Sequence, residues 1–92
     1  MADLKARFEE AAQRIRDESK TNASLQALPN EKQLELYGLF KQGSSGDNSQ
    51  ADPGMFCMPA TKAKWQAWED RKGMSQEDAQ NAYIELVEGL LA

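Results

Sequence analysis

Histidine is absent from the 92 residues, and cysteine occurs once, at Cys57. Without an imidazole no Ser-His or Cys-His nucleophile can form, and one thiol leaves a zinc site short of its usual donors. A single cysteine also excludes an internal disulfide and fits a reducing compartment. Valine appears once and isoleucine twice, and no segment alternates apolar and polar residues over a strand's length, so strands are not expected. No apolar run approaches the ~18 residues of a membrane span. The opening MADLKARFEE lacks the hydrophobic centre of a signal peptide. Excess positive charge is missing too: the net charge of −4 argues against general nucleic-acid binding. These absences predict one cytoplasmic, monomeric domain over residues 1–92. It is expected to be no enzyme, to hold no metal or cofactor, to bind no nucleic acid and to make no stable membrane insertion.

What remains is an ordinary globular composition, 40% hydrophobic and 28% charged, with helical periodicity. The first helix is predicted from about Asp3, its N-cap, to Asp17, with Leu4, Phe8, Ala11, Ala12 and Ile15 on one face. A polar linker, ESKTNASLQALP, follows. The second helix is predicted to start at Asn30 as N-cap, with Gln33 at the capping-box position, and to end near Gly43. A long irregular stretch comes next, with turns at Gly46-Asp47 and Pro53-Gly54 and an apolar end, MFCMP, expected to fold back onto the helices. The third helix is predicted to begin after Thr61 and to stop at Gly73. The fourth opens at Ser75 and carries Ala79, Ala82, Tyr83, Leu86, Val87, Leu90 and Leu91 as its apolar stripe. The expected fold is all-α, a four-helix domain with two long linkers.

Two stretches combine lysine with aromatic rings. In LYGLFKQ, residues Leu34, Tyr37, Phe40 and Lys41 fall within an arc of roughly 120° on a helix. In TKAKWQAWEDRK, Lys64, Trp65 and Trp68 repeat the combination, and residues 60–72 carry net positive charge inside an acidic chain. One reading is a core stripe with lysines extending from its edge. The other is a pocket with cationic rims and aromatic walls, suited to an anionic ligand with a flat ring and an apolar tail. Tyr83 fits either reading, as a core ring or as a hydroxyl donor. Cys57 sits among apolar neighbours with no activating base nearby in sequence, and reads as a small buried hydrophobe.

Taken in order, YGLFKQ, GD, PG, KAKWQAW, KGMS and AYI resemble the acyl-CoA-binding protein family, whose pattern is Y-x-x-Y-K-Q, G-D, P-G, K-A-K-W-x-A-W, K-G-x-S and A-Y. The likeness runs from Phe8 to Leu91. It implies an up-down-down-up four-helix bundle that binds, buffers and transports long-chain fatty acyl-CoA thioesters without reacting on them. It further implies that Tyr37, Lys41 and Lys64 hold the nucleotide phosphates and that Tyr83 contacts the adenine. From the first helix it implies apolar contacts of Phe8 and Ala12 to the acyl chain and a basic residue at Arg16, while Leu34 lines the tail groove. Phe40 stands where the family's second tyrosine falls, keeping a ring and losing a hydroxyl. The stretch between PG and KAKW is one residue longer than the family spacing, and the first linker is several residues longer than in short members. Set against this, a helical protein-interaction module would use the same aromatic-lysine face to dock a partner.

Overall fold

The computed structural model describes residues 3–54 and 58–91, and among these the regular structure is entirely helical. Five helices run in order: α1 (Leu4–Glu18), α2 (Ala23–Gln26), α3 (Asn30–Ser45), α4 (Pro59–Glu69) and α5 (Gln76–Leu91). Asp3 caps α1 as expected, its carboxylate accepting from the Lys5 N–H at 2.9 Å. Ser75 caps α5, with its hydroxyl accepting from the Asp78 N–H at 3.0 Å.

Other helix ends differ from the sequence expectation, each for a local reason. Helix α3 has Pro29, not Asn30, in the cap position, because a proline φ near −60° enters a helix at no cost. Gln33 closes no capping box; its amide donates to the Leu28 carbonyl at 2.8 Å. The helix also runs through Gly43 and stops only at Gly46, whose φ of +82° is open to glycine and strained for other residues. Helix α4 starts at Pro59, three residues early, since the first turn does not need the missing N–H. Gly73 closes the turns that follow Glu69. The polar linker holds the unexpected α2, and Leu25 within it is only 5% exposed. Residues 55–57, including Cys57, lie outside the described residues. The neighbouring Met58 is 72% exposed, so the expected folding back of MFCMP does not extend to it.

Side-chain pairings fix the topology. Phe40 meets Tyr83 and Gly43 meets Gln80, so α3 and α5 run antiparallel. Phe8 lies against Gly43, while residues one and two turns later in α1 approach Tyr37, making α1 and α3 antiparallel as well. Tyr37 meets Lys64 and Lys41 meets Trp68, one turn further along both chains, so α3 and α4 run parallel. The order of the four long helices is therefore up-down-down-up. Helix α5 packs on both α1 and α3, whereas α4 has extensive contact with α3 alone. The result is a slab about 15 Å in its thinnest dimension, with α3 as its shared element.

The core lies between α1, α3 and α5: Phe8, Ala11, Ala12, Leu39, Tyr83, Ile84 and Val87 are buried together. Ile84 belongs to this core although the expected stripe omitted it. Beyond the core, α4 is stitched to the loop after α3 by hydrogen bonds. Trp68 donates from Nε1 to the Gly46 carbonyl at 2.8 Å, and Trp65 donates likewise to the Gln50 carbonyl at 2.8 Å. Asp47 accepts from the Gly73 N–H and from the Gln42 amide, each at 2.9 Å, and Gln42 is itself fully buried. Several residues of the sequence motifs thus hold the loop on the helices: Gln42, Gly46, Asp47, both tryptophans and Gly73.

Candidate functional site

Helix α3 carries the site, and its circumference divides among its neighbours. At 100° per residue, Leu36, Phe40 and Tyr37 lead round to Lys41 and then to Leu34. The first of these turn toward α1 and α5; Leu34 turns toward α4.

On the α1–α5 flank lies a hollow of about 560 Å³. Tyr37, Phe40 and Tyr83 supply three rings, Ala12, Ile15 and Leu36 supply alkyl surface, and Arg16 stands at the edge. Phe8 underlies the rings instead of lining the hollow. Its ring stacks on Phe40 at 5.6 Å between centroids and meets Tyr83 edge-on at 5.2 Å. Phe40 and Tyr83 are 5.9 Å apart, completing a triangle that fixes both walls. Burial pushes the Tyr83 phenol above its usual pKa, with the nearby Arg16 charge acting in the opposite sense. The hydroxyl is therefore a protonated donor at neutral pH.

In the middle, Tyr37 also borders a smaller slot of about 170 Å³ with Thr61, Lys64, Trp65 and Pro53. The Lys64 ammonium lies 5.8 Å from the Tyr37 ring centroid, and the Lys41 ammonium lies 4.7 Å from that of Trp68. Among the described residues, none of Arg16, Lys41 and Lys64 is within ion-pair distance of a carboxylate. By contrast Lys62, two residues from Lys64, is paired with Asp52 and lies over Trp65. Three cations free of carboxylate partners around Tyr37 give this centre a positive charge that an anion can neutralise.

The α4 flank holds a cleft of about 470 Å³ with Leu34, Ala63 and Ala67 along it and Glu31, Glu35, Asp70 and Arg71 at its sides. The helices approach so closely here that a Cβ on Gly38 would sit 2.4 Å from the Ala67 carbonyl oxygen. Only glycine permits that separation.

Of the nine residues singled out in the sequence, Ala12, Arg16, Tyr37, Phe40 and Tyr83 line one hollow, while Lys41 and Lys64 cluster beside it. Leu34 shares neither space. Among the described residues, none of the hollow, the slot and the cleft touches Phe8, Ala12 and Leu34 together, because the 34-to-40 arc of α3 spans two flanks. Sequence reasoning missed Leu25, Leu28 and Leu36 on the aromatic hollow and Ala63 and Ala67 on the cleft. The signal for Leu25 was present in Asn22, a good N-cap three residues before it.

No group of three or more His, Cys, Asp or Glu among the described residues is arranged to hold a metal ion. No helix among them is long and apolar enough to cross a membrane. A family model described as acyl CoA binding protein matches residues 5–87. Acyl-CoA-binding protein homolog 1 of Caenorhabditis elegans is 49% identical over 77 residues, covering 83% of this chain and 88% of the relative. The acyl-CoA-binding protein of Saccharomyces cerevisiae is 47% identical over 85 residues, covering 92% and 90%. The crystal structure of Oryza sativa acyl-CoA-binding protein 2 superimposes with a TM-score of 0.81 at 37% identity, covering 97% of this chain and 91% of that one.

Proposed function

The chain belongs to the acyl-CoA-binding protein family, and from that membership we propose that it binds long-chain fatty acyl-CoA thioesters without reacting on them, buffering and carrying them in the cytoplasm. It does so as a monomer, with residues 1–92 acting as one binding domain and the thioester as its small-molecule partner. The observation that carries this reading is a set of cations that have no carboxylate partner among the described residues: Arg16 on the aromatic hollow, and Lys41 and Lys64 beside Tyr37 between that hollow and the alkyl cleft.

Each compartment suits one part of such a ligand. Rings of Tyr37, Phe40 and Tyr83 stack on a base, with Arg16 beside them and the Tyr83 hydroxyl as donor. Phosphates fall to Tyr37, Lys41 and Lys64, the ammonium groups acting as point charges. The tail follows Leu34, Ala63 and Ala67. Glu31, Glu35 and Asp70 outnumber Arg71 at the sides of that cleft, although Glu35 is paired with Lys32, so its net charge disfavours an anionic head and leaves a neutral polymethylene chain indifferent. The ligand thus crosses α3, with its head on one flank and its tail on the other. Phe8 and Ala12, which the family resemblance assigns to the acyl chain, fall at the base end in this reading, Phe8 beneath the rings and Ala12 on the hollow.

Magnitudes agree with a two-ended ligand. Burying ten methylenes contributes roughly 8 kcal/mol at about 0.8 each. Each charged hydrogen bond to phosphate adds about 1.5–3 kcal/mol. Association costs about 4–15 kcal/mol, so neither end binds tightly alone. Calorimetry with a long-chain acyl-CoA, CoA and the matching fatty acid tests this. The acyl-CoA is expected to bind far more tightly than either fragment; three equal affinities, or none, would overturn the proposal.

A further inference from the structure

The linker between α1 and α3 is built into the aromatic hollow. Leu25 of α2 is buried, and Leu28, half-buried two residues beyond that helix, lines the hollow with it, together with Tyr37, Phe40 and Tyr83. A four-residue helix has no stability of its own, because nucleation is costly and few bonds offset it. This one is latched from outside. Asn22 Oδ1 accepts from the N–H groups of Ser24 at 2.9 Å and Leu25 at 3.4 Å. The Gln26 amide donates to the carbonyls of Ser19 at 2.9 Å and Lys20 at 3.1 Å, fastening α2 to the end of α1. From the other side, the Gln33 amide donates to the Leu28 carbonyl at 2.8 Å, fastening the linker to α3.

We infer that this segment is a preorganised wall of the site, and that Leu25 and Leu28 determine specificity for the ring end of the ligand. The inference rests on the acyl-CoA reading and adds residues to it. Three features carry it: two leucines lining the same hollow as three aromatic rings, side-chain latches at both ends of the segment, and an arginine on that hollow. A hollow lined by both leucines and aromatic rings suits a flat heterocycle, and a wall already fixed loses little entropy when the ring enters. A polymethylene chain would gain from the leucines but not from Arg16 or the Tyr83 hydroxyl. A base attached to phosphates gains from all of them.

The test compares Leu28→Ser with the wild-type protein on two thioesters of the same fatty acid, one of CoA and one of pantetheine, which lacks the nucleotide. Calorimetry is expected to give roughly five- to tenfold weaker binding of the CoA ester and unchanged binding of the pantetheine ester. Gln26→Ala, which unlatches α2 without touching the hollow, is expected to shift the CoA ester in the same direction by a smaller factor. It carries the test if Leu28→Ser loses its helical circular dichroism. Loss of equal size on both esters, or on neither, overturns the inference. Wild-type protein that bound neither ester would overturn the acyl-CoA reading itself, whereas intact wild-type binding with unselective variants overturns the wall alone.

Discussion

Helix α3 is held differently on its two flanks. Toward α1 and α5 it meets large side chains, with Phe8, Phe40 and Tyr83 in mutual ring contact above Leu39, Ile84 and Val87. Toward α4 it meets almost no side chain at Gly38, and the two backbones nearly touch. There the fastening is polar and lies beyond the helix end, where Gly46, Asp47, Asn48 and Gln50 bond to α4 and the turn after it. The first flank derives its stability from apolar burial, which tolerates a hollow at its edge. The second derives it from geometry and hydrogen bonds, leaving a shallow cleft between parallel helices. A ligand that is aromatic and anionic at one end and alkyl at the other matches this asymmetry.

The largest effect is expected on the first flank. Phe8→Ala removes the ring beneath Phe40 and Tyr83 and should lower stability by about 3–5 kcal/mol in urea titration. A loss under 1 kcal/mol would mean that the triangle does not carry that flank. Between the flanks, Lys64→Ala should weaken acyl-CoA binding roughly tenfold or more, the equivalent of one charged hydrogen bond, while the melting temperature stays within a degree or two. An unfolded Lys64→Ala variant would make the lysine a structural tie between α3 and α4.

On the second flank, Gly38→Ala drives a Cβ into the Ala67 carbonyl and should cost about 1–3 kcal/mol as α4 is pushed outward. Acidification should also act on this flank. Hydrogen bonds from the Gly73 N–H and the Gln42 amide, with the charge of Lys72, hold the Asp47 carboxyl below its ordinary pKa. A depressed folded pKa stabilises the fold above the unfolded value, and that contribution is lost as pH falls through the folded one. Stability should therefore drop below about pH 4, and Asp47→Asn should flatten that part of the curve. An unchanged acid limb in the variant would assign it to other carboxylates, Asp52 among them.

Much of this was legible in the sequence, and the gaps have physical causes. The caps at Asp3 and Ser75 and the stripes of α1 and α5 follow from local chemistry and periodicity. Helix α2 did not, because four residues show no period and its latches tie it to residues outside the segment. Periodicity placed Leu34, Tyr37, Phe40 and Lys41 in one arc, which holds as an angular order. It does not say that the arc straddles two neighbours, since that depends on α4 returning parallel to α3. Gly43 read as a helix end, yet it is a packing position: a Cβ there would lie 3.0 Å from the Phe8 ring. A glycine's role depends on what approaches it, and Phe8 lies 35 residues away in sequence.

The central claim is that the ligand crosses α3. Two-dimensional NMR of labelled protein with a long-chain acyl-CoA, followed by filtered nuclear Overhauser spectra, tests it directly. Adenine protons are predicted to show contacts with Tyr83, Ala12 and Leu28, and acyl-chain protons with Leu34, Ala63 and Ala67. Acyl protons seen instead against Ala12, Ile15 and Leu36, with Leu34 silent, would contradict the account.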